Sequence, residues 1–118
     1  MTKLMVFDRC EALRRLLRSE TLLREVIGIF LRDLPRLKTQ LKDAVDAKSV
    51  TSVCLAAHSL KGSASQVGGR VLTDRAWHVE RLATDGNLPA ALELMPSLWH
   101  DLDDLALVLE GELARGSA

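Results

Sequence analysis

In the stretch Ala57-His58-Ser59-Leu60-Lys61-Gly62-Ser63-Ala64-Ser65-Gln66-Val67-Gly68-Gly69, one imidazole stands among residues that leave it room. A neutral, accessible imidazole can take a phosphoryl group on a ring nitrogen, and at its ordinary pKa of about 6.5 it is mostly neutral at cytoplasmic pH. Lys61 and Gly62 follow His58 at three and four positions, the spacing of neighbours on a helix surface. An ammonium there disfavours the imidazolium and can pair with phosphoryl oxygens once they arrive. Gly62 costs a helix about 1 kcal/mol relative to alanine, and the small residues Ser63, Ala64 and Ser65 come directly after it. A helix that gives up stability and bulk beside a histidine leaves space for a second molecule.

The surrounding pattern turns that histidine outward. Val50, Val53, Ala57, Leu60, Ala64 and Val67 recur at the three-and-four spacing of a buried stripe. At 3.6 residues per turn, His58 sits about 130° from the centre of that stripe. The stretch closely resembles the signature of the histidine-containing phosphotransfer (HPt) domain family: His, any residue, Leu, Lys, Gly, Ser, Ala, three variable residues, Gly. His58, Leu60, Lys61, Gly62, Ser63, Ala64 and Gly68 carry it here, over eleven positions. Phe7-Asp8, the run Phe30-Leu31-Arg32-Asp33-Leu34-Pro35, and Glu80 also fall where that family has similar residues, so the resemblance covers almost the whole chain.

The resemblance implies that His58 is a phosphoacceptor in a phosphorelay of two-component signalling. The partner it implies is a response-regulator receiver domain, whose phosphoaspartate and bound Mg²⁺ carry the electrophilic half of the reaction. Lys61 is expected to stabilise phosphoryl charge. Glu80 is expected near the ring, either accepting a hydrogen bond from one nitrogen and so orienting the other, or standing as a solvated glutamate. Leu55, Gly62, Ser63, Ser65 and Gln66 are the candidate partner contacts. Leu55, off the main stripe, is either a receiver contact or covered by the N-terminal helix, and cover is the preferred reading. Trp77, on the Glu80 face, is either a packing residue or stands beside the site, and packing is the preferred reading.

The elements that position the site read as helices. Asp8 can cap a short helix to about Leu17, a lid on one end of the fold. Ser19 can cap a long helix to about Ala47, with Leu23, Val26, Phe30, Leu34, Leu37, Leu41 and Ala44 as its stripe and a kink at Pro35. Asp46 or Ser49 starts the helix of His58, which Gly68-Gly69 ends. A helix near Val71 to Asp85 buries Leu72, Ala76, Val79 and Ala83 and closes at Gly86-Asn87. A fourth long helix opens at Pro89, with Leu94, Leu98, Leu102, Leu105 and Leu109 inward and a second kink at Pro96. Short connections between such helices predict an all-α, antiparallel up-and-down four-helix bundle with a short extra N-terminal helix.

Composition bounds the rest. At 118 residues the chain suits a single domain spanning 1–118, with flexible ends expected at 1–6 and 115–118. A formal net charge of +0 gives no bulk attraction to nucleic acid or an anionic membrane. No apolar run approaches the roughly 18 residues that span a bilayer, and the segment is expected in the cytoplasm as a monomer. Cys10 and Cys54 belong to no ligand-spaced array and read as free thiols. His78, His100 and the run Asp101, Asp103 and Asp104 lack metal-site spacing, so no metal is expected. There is no GxxxxGK[ST] loop, so the chain is expected to be neither kinase nor other enzyme, with no cofactor of its own. The competing reading is a helical docking module that regulates a partner without phosphotransfer. A free-standing protein and the C-terminal module of a hybrid sensor kinase both remain open.

Overall fold

Side-chain caps set where the helices begin. In the computed structural model, which describes residues 4–115, Asp8 Oδ1 accepts from the Glu11 amide at 3.1 Å and opens α1 (Arg9–Arg15). Ser19 Oγ accepts from Leu22 N at 3.1 Å to open α2 (Glu20–Ala47), and Ser49 Oγ accepts from Ser52 N at 3.2 Å to open α3 (Val50–Gln66). Each cap satisfies an amide that has no partner within its helix. The sequence continues as α4 (Arg70–Thr84), α5 (Leu88–Glu93) and α6 (Met95–Arg115), with no strand among the described residues.

The two internal prolines behave differently. α2 runs unbroken through Pro35, which costs it the hydrogen bond to the Leu31 carbonyl and leaves its other bonds in place. At Pro96 the expected single kinked helix is instead two. α5 ends in a one-residue turn at Leu94, whose amide bonds back only three residues to Ala91 O at 3.2 Å, and α6 starts beyond it. Pro96 offers no amide to the Leu92 carbonyl and its ring crowds that group, so a six-residue helix has too few bonds to carry the ladder across.

α3 packs on α2 and α4, and α6 packs on α2 and α4. Cross-helix bonds run in opposite order along α2 and α6: Arg24 reaches the Leu113 carbonyl at 3.0 Å, while Lys38 meets Asp103 at 2.9 Å. Leucines dominate the interior, with Leu23, Leu41, Leu60, Leu72, Leu98, Leu102, Leu105 and Leu109 fully buried. Ile27, rather than the expected Val26, takes the second inward place on α2. Spacing could not choose between them, since 23-26-30 and 23-27-30 both alternate steps of three and four. Val50, at the start of its stripe, is 40% exposed because the first turn of α3 lies at the end of the core.

α1 docks where α3 ends. Gly68 has φ +74°, and a Cβ there would lie 2.5 Å from the Asp8 carbonyl. Only glycine fits that approach, and it lets the Asp8 amide donate to Gly68 O at 2.7 Å. Arg15 donates to the Ser65 hydroxyl at 2.8 Å, and Arg9 donates to Glu112 at 2.5 Å and to Glu20 at 2.5 and 2.7 Å. Arg115 also donates to Glu112. Of the termini expected to be flexible, 1–3 and 116–118 lie outside the described residues, while the Met5 carbonyl accepts from Val71 N at 3.1 Å.

Candidate functional site

His58 stands on the outward side of α3, its side chain 65% exposed. The stripe that turns it out is buried beneath it, with Val53, Ala57, Leu60 and Ala64 all in the core. Ala56 joins them, which widens the buried face towards the neighbouring helices. α4 runs alongside and brings Glu80 to the ring: Nδ1 of His58 lies 2.7 Å from Glu80 Oε2. The other carboxylate oxygen accepts from Lys61 Nζ at 2.6 Å. Glu80 therefore bridges the two α3 residues, and the solvated alternative is excluded. Lys61 is drawn down onto Glu80, and its side chain is only 26% exposed.

The electrostatics of this triad are set at Glu80. Burial pushes its carboxyl up, but the Lys61 and His58 hydrogen bonds outweigh burial and hold it below the usual carboxylate range. An ionised carboxylate can only accept, so the proton in the His58–Glu80 bond belongs to Nδ1. In the neutral form of the ring Nε2 then keeps the lone pair, on the side of the exposed ring away from Glu80.

Gly62, next along the surface, is open: a Cβ there would meet no heavy atom within 4 Å. Ser63 and Gln66 line a shallow depression of about 40 Å³ with Val26, Ile29 and Asp33 of α2. Ser65 faces the other way. Its hydroxyl is taken by Arg15, and it lines a groove of about 330 Å³ with Lys61, Arg70, Thr73 and Trp77. Leu55 is 59% exposed, so the expected cover by the N-terminal helix does not hold. α1 binds at Ser65 and Gly68, about 15 Å further along α3 at 1.5 Å per residue, and cannot reach Leu55.

Trp77 is likewise 46% exposed rather than packed, standing edge-on to His78 at 5.0 Å and lining a surface hollow with Glu80, Arg81 and Thr84. Ile29, outside the apolar stripe that spacing marks on α2, is 57% exposed. Its signal was present: Val26-Ile27-Gly28-Ile29-Phe30-Leu31 holds more apolar residues than one helix face can bury. Cys54 was read as an isolated thiol, and it lies 3.0 Å from the Thr84 hydroxyl one turn below the site. His78 and His100 pair with Asp74 at 3.5 Å and Asp104 at 3.2 Å on their own helices. Asp101 is buried and accepts from Arg75 at 2.8 Å.

Comparison with known proteins bears on the family and the fold. Residues 25–114 match the model of the Hpt domain. No curated protein matches the chain. The crystal structure of histidine-containing phosphotransfer protein B (HptB) from Pseudomonas aeruginosa PAO1 is similar, with TM-score 0.84 and 20% identity over 96% of this chain and 98% of that one. At that identity the likeness establishes a shared fold.

Proposed function

The chain belongs to the Hpt domain family, and from that premise we propose that His58 carries its phosphoryl group, on Nε2. Membership makes the chain a phosphotransfer carrier of two-component phosphorelay signalling, a family of carriers rather than catalysts that works with response-regulator receiver domains. The observation that supports the residue and the atom is the His58 Nδ1–Glu80 bond of 2.7 Å, which occupies one ring nitrogen and leaves the other facing solvent. Phosphoryl transfer is mainly positioning and charge stabilisation. The frame for that positioning is an antiparallel up-and-down four-helix bundle of α2, α3, α4 and α6, with α1 as the extra N-terminal helix and the chain acting as one domain. The ring of helix contacts supports this reading.

Glu80 is the positioning residue and Lys61 holds it. When a phosphoryl group arrives, the Lys61 ammonium, with three donors, pairs with the new oxygens while keeping its bond to Glu80. A receiver docks over Gly62, where nothing obstructs it, and touches Leu55, Ser63 and Gln66 on α3, Ile29 on α2 and Trp77 on α4. Ser65 borders that surface on the Trp77 side. The Mg²⁺ of the reaction belongs to the receiver, and the chain acts as a monomer in the cytoplasm. No helix among the described residues is long and apolar enough to cross a membrane.

A receiver domain of the same organism, phosphorylated with labelled phosphate, tests the assignment. Label passes to the wild type and not to His58→Gln. Equal labelling of both proteins overturns it.

A further inference from the structure

Glu80 does more for His58 than aim it. Resting on the reading of His58 as phosphoacceptor, we infer that Glu80 keeps the Nδ1 proton in place through the whole transfer cycle, so that the ring departs from phosphorus as a neutral imidazole and the phosphohistidine is a rapidly discharging intermediate instead of a store.

The balance of the step is simple. On loading, the Nε2 lone pair forms the N–P bond while the P–O bond to the donor carboxylate breaks, and that electron pair leaves with the carboxylate. The ring already holds a proton on Nδ1, so it becomes an N-phosphorylated imidazolium with its positive charge against the Glu80 carboxylate. On discharge an acceptor carboxylate or a water attacks phosphorus. The N–P bond breaks and its electron pair returns to Nε2, leaving a neutral ring with the Nδ1 proton where it began. A phosphorylated ring without an anion beside it gives up that proton in mildly alkaline water. It must then leave as an anionic imidazolide, a poor leaving group, or recover a proton first.

The geometry meets each requirement. Glu80 Oε2 is 2.7 Å from Nδ1, and Oε1 is fixed by Lys61 at 2.6 Å, so the carboxylate cannot rotate away without breaking an ion pair. Its side chain is 20% exposed, which limits competition from water and strengthens the bond. Among the described residues, Glu80 is the carboxylate in hydrogen-bond contact with the ring. Other titratable groups on these helices have partners of their own. On α3 the Cys54 thiol is bonded to Thr84, on α4 Arg81 lies 3.7 Å from Asp85, and on α2 Asp33 is paired with Arg36 at 2.7 Å.

Phosphoramidate, a small N-phosphoryl donor that needs no docked protein, loads wild type and Glu80→Gln for the test. Loss of phosphohistidine is then followed by 31P NMR from about pH 6 to about pH 9. The wild type is expected to discharge at a nearly constant rate. Glu80→Gln should slow by about tenfold per pH unit on the alkaline side, while agreeing with wild type within about twofold at the acid end. Parallel profiles overturn the inference, because a structural role alone would change the variant's rate by the same factor at every pH. A second readout needs no variant. In phosphorylated wild type the 15N shift of Nδ1 should remain that of a protonated nitrogen at about pH 8, and a deprotonated Nδ1 there is equally fatal. Failure of phosphoramidate to label His58 at all would remove the phosphoacceptor reading itself, a result distinct from either.

Discussion

At the scale of single residues, Gly62 and Glu80 illustrate opposite uses of a helix surface. Glu80 is held by two partners at 2.6 and 2.7 Å and fixes the imidazole. Gly62 touches nothing, and its worth lies in what is missing. That separation makes a clean prediction. Gly62→Gln adds a side chain pointing into open space, so it should fold normally and gain about 0.5–1 kcal/mol from better helix propensity. The same side chain should obstruct a receiver and cut transfer from it by tenfold or more, on the order of 1.4 kcal/mol or above. A melting experiment beside a labelled-transfer assay checks both. Unchanged transfer would show that no partner approaches α3 closely at this point.

At the scale of elements, the decisive contact is that of α1 with the α3–α4 turn. Gly68 and Gly86 both have positive φ, at +74° and +81°, but their surroundings differ. A Cβ at Gly68 would strike the Asp8 carbonyl at 2.5 Å and approach Ala12 Cβ at 3.1 Å, whereas one at Gly86 meets nothing within 4 Å. Gly86→Ala should therefore cost about 1 kcal/mol, the backbone penalty alone. Gly68→Ala carries the same penalty plus displacement of α1 and loss of the Asp8–Gly68 bond, and should cost at least about 2 kcal/mol. Urea denaturation of the two variants measures the difference. Equal costs would mean that α1 is not held by this turn.

At the scale of the whole molecule, acid stability follows from three carboxylates. Asp33 is held below the usual range by Arg36. At Glu80 burial acts upward and is outweighed by Lys61 and His58, and Glu112 is held down by Arg9 against burial, with help from Arg115. A depressed folded pKa means that the unfolded chain binds protons first. The stabilisation is thus complete above the ordinary carboxylate pKa of about 4 and is lost as pH falls through the lower folded values. The urea midpoint should decline on the acid side of about pH 4.5. Glu112→Gln, which removes the carboxylate joining α1 to α6, should start from a lower midpoint and decline less steeply. An identical slope in the variant would show that Glu112 does not contribute to the acid response.

The sequence by itself left Asp46 and Ser49 open as the start of α3, while it determined the helical class, the caps at Asp8 and Ser19, and the outward direction of His58. These follow from neighbours within a few positions, where spacing and backbone chemistry act directly. It also determined the family, because the residues from His58 to Gly68 form a compact local pattern. Tertiary structure alone decided that Glu80 reaches across from α4 to hold His58 and Lys61 together, since the register of two packed helices is set by the fit of their buried faces. It decided as well that α1 covers Ser65 and Gly68 and leaves Leu55 and Trp77 bare. Periodicity says which residues share a face of one helix; which face is then covered depends on how the other helices come to rest.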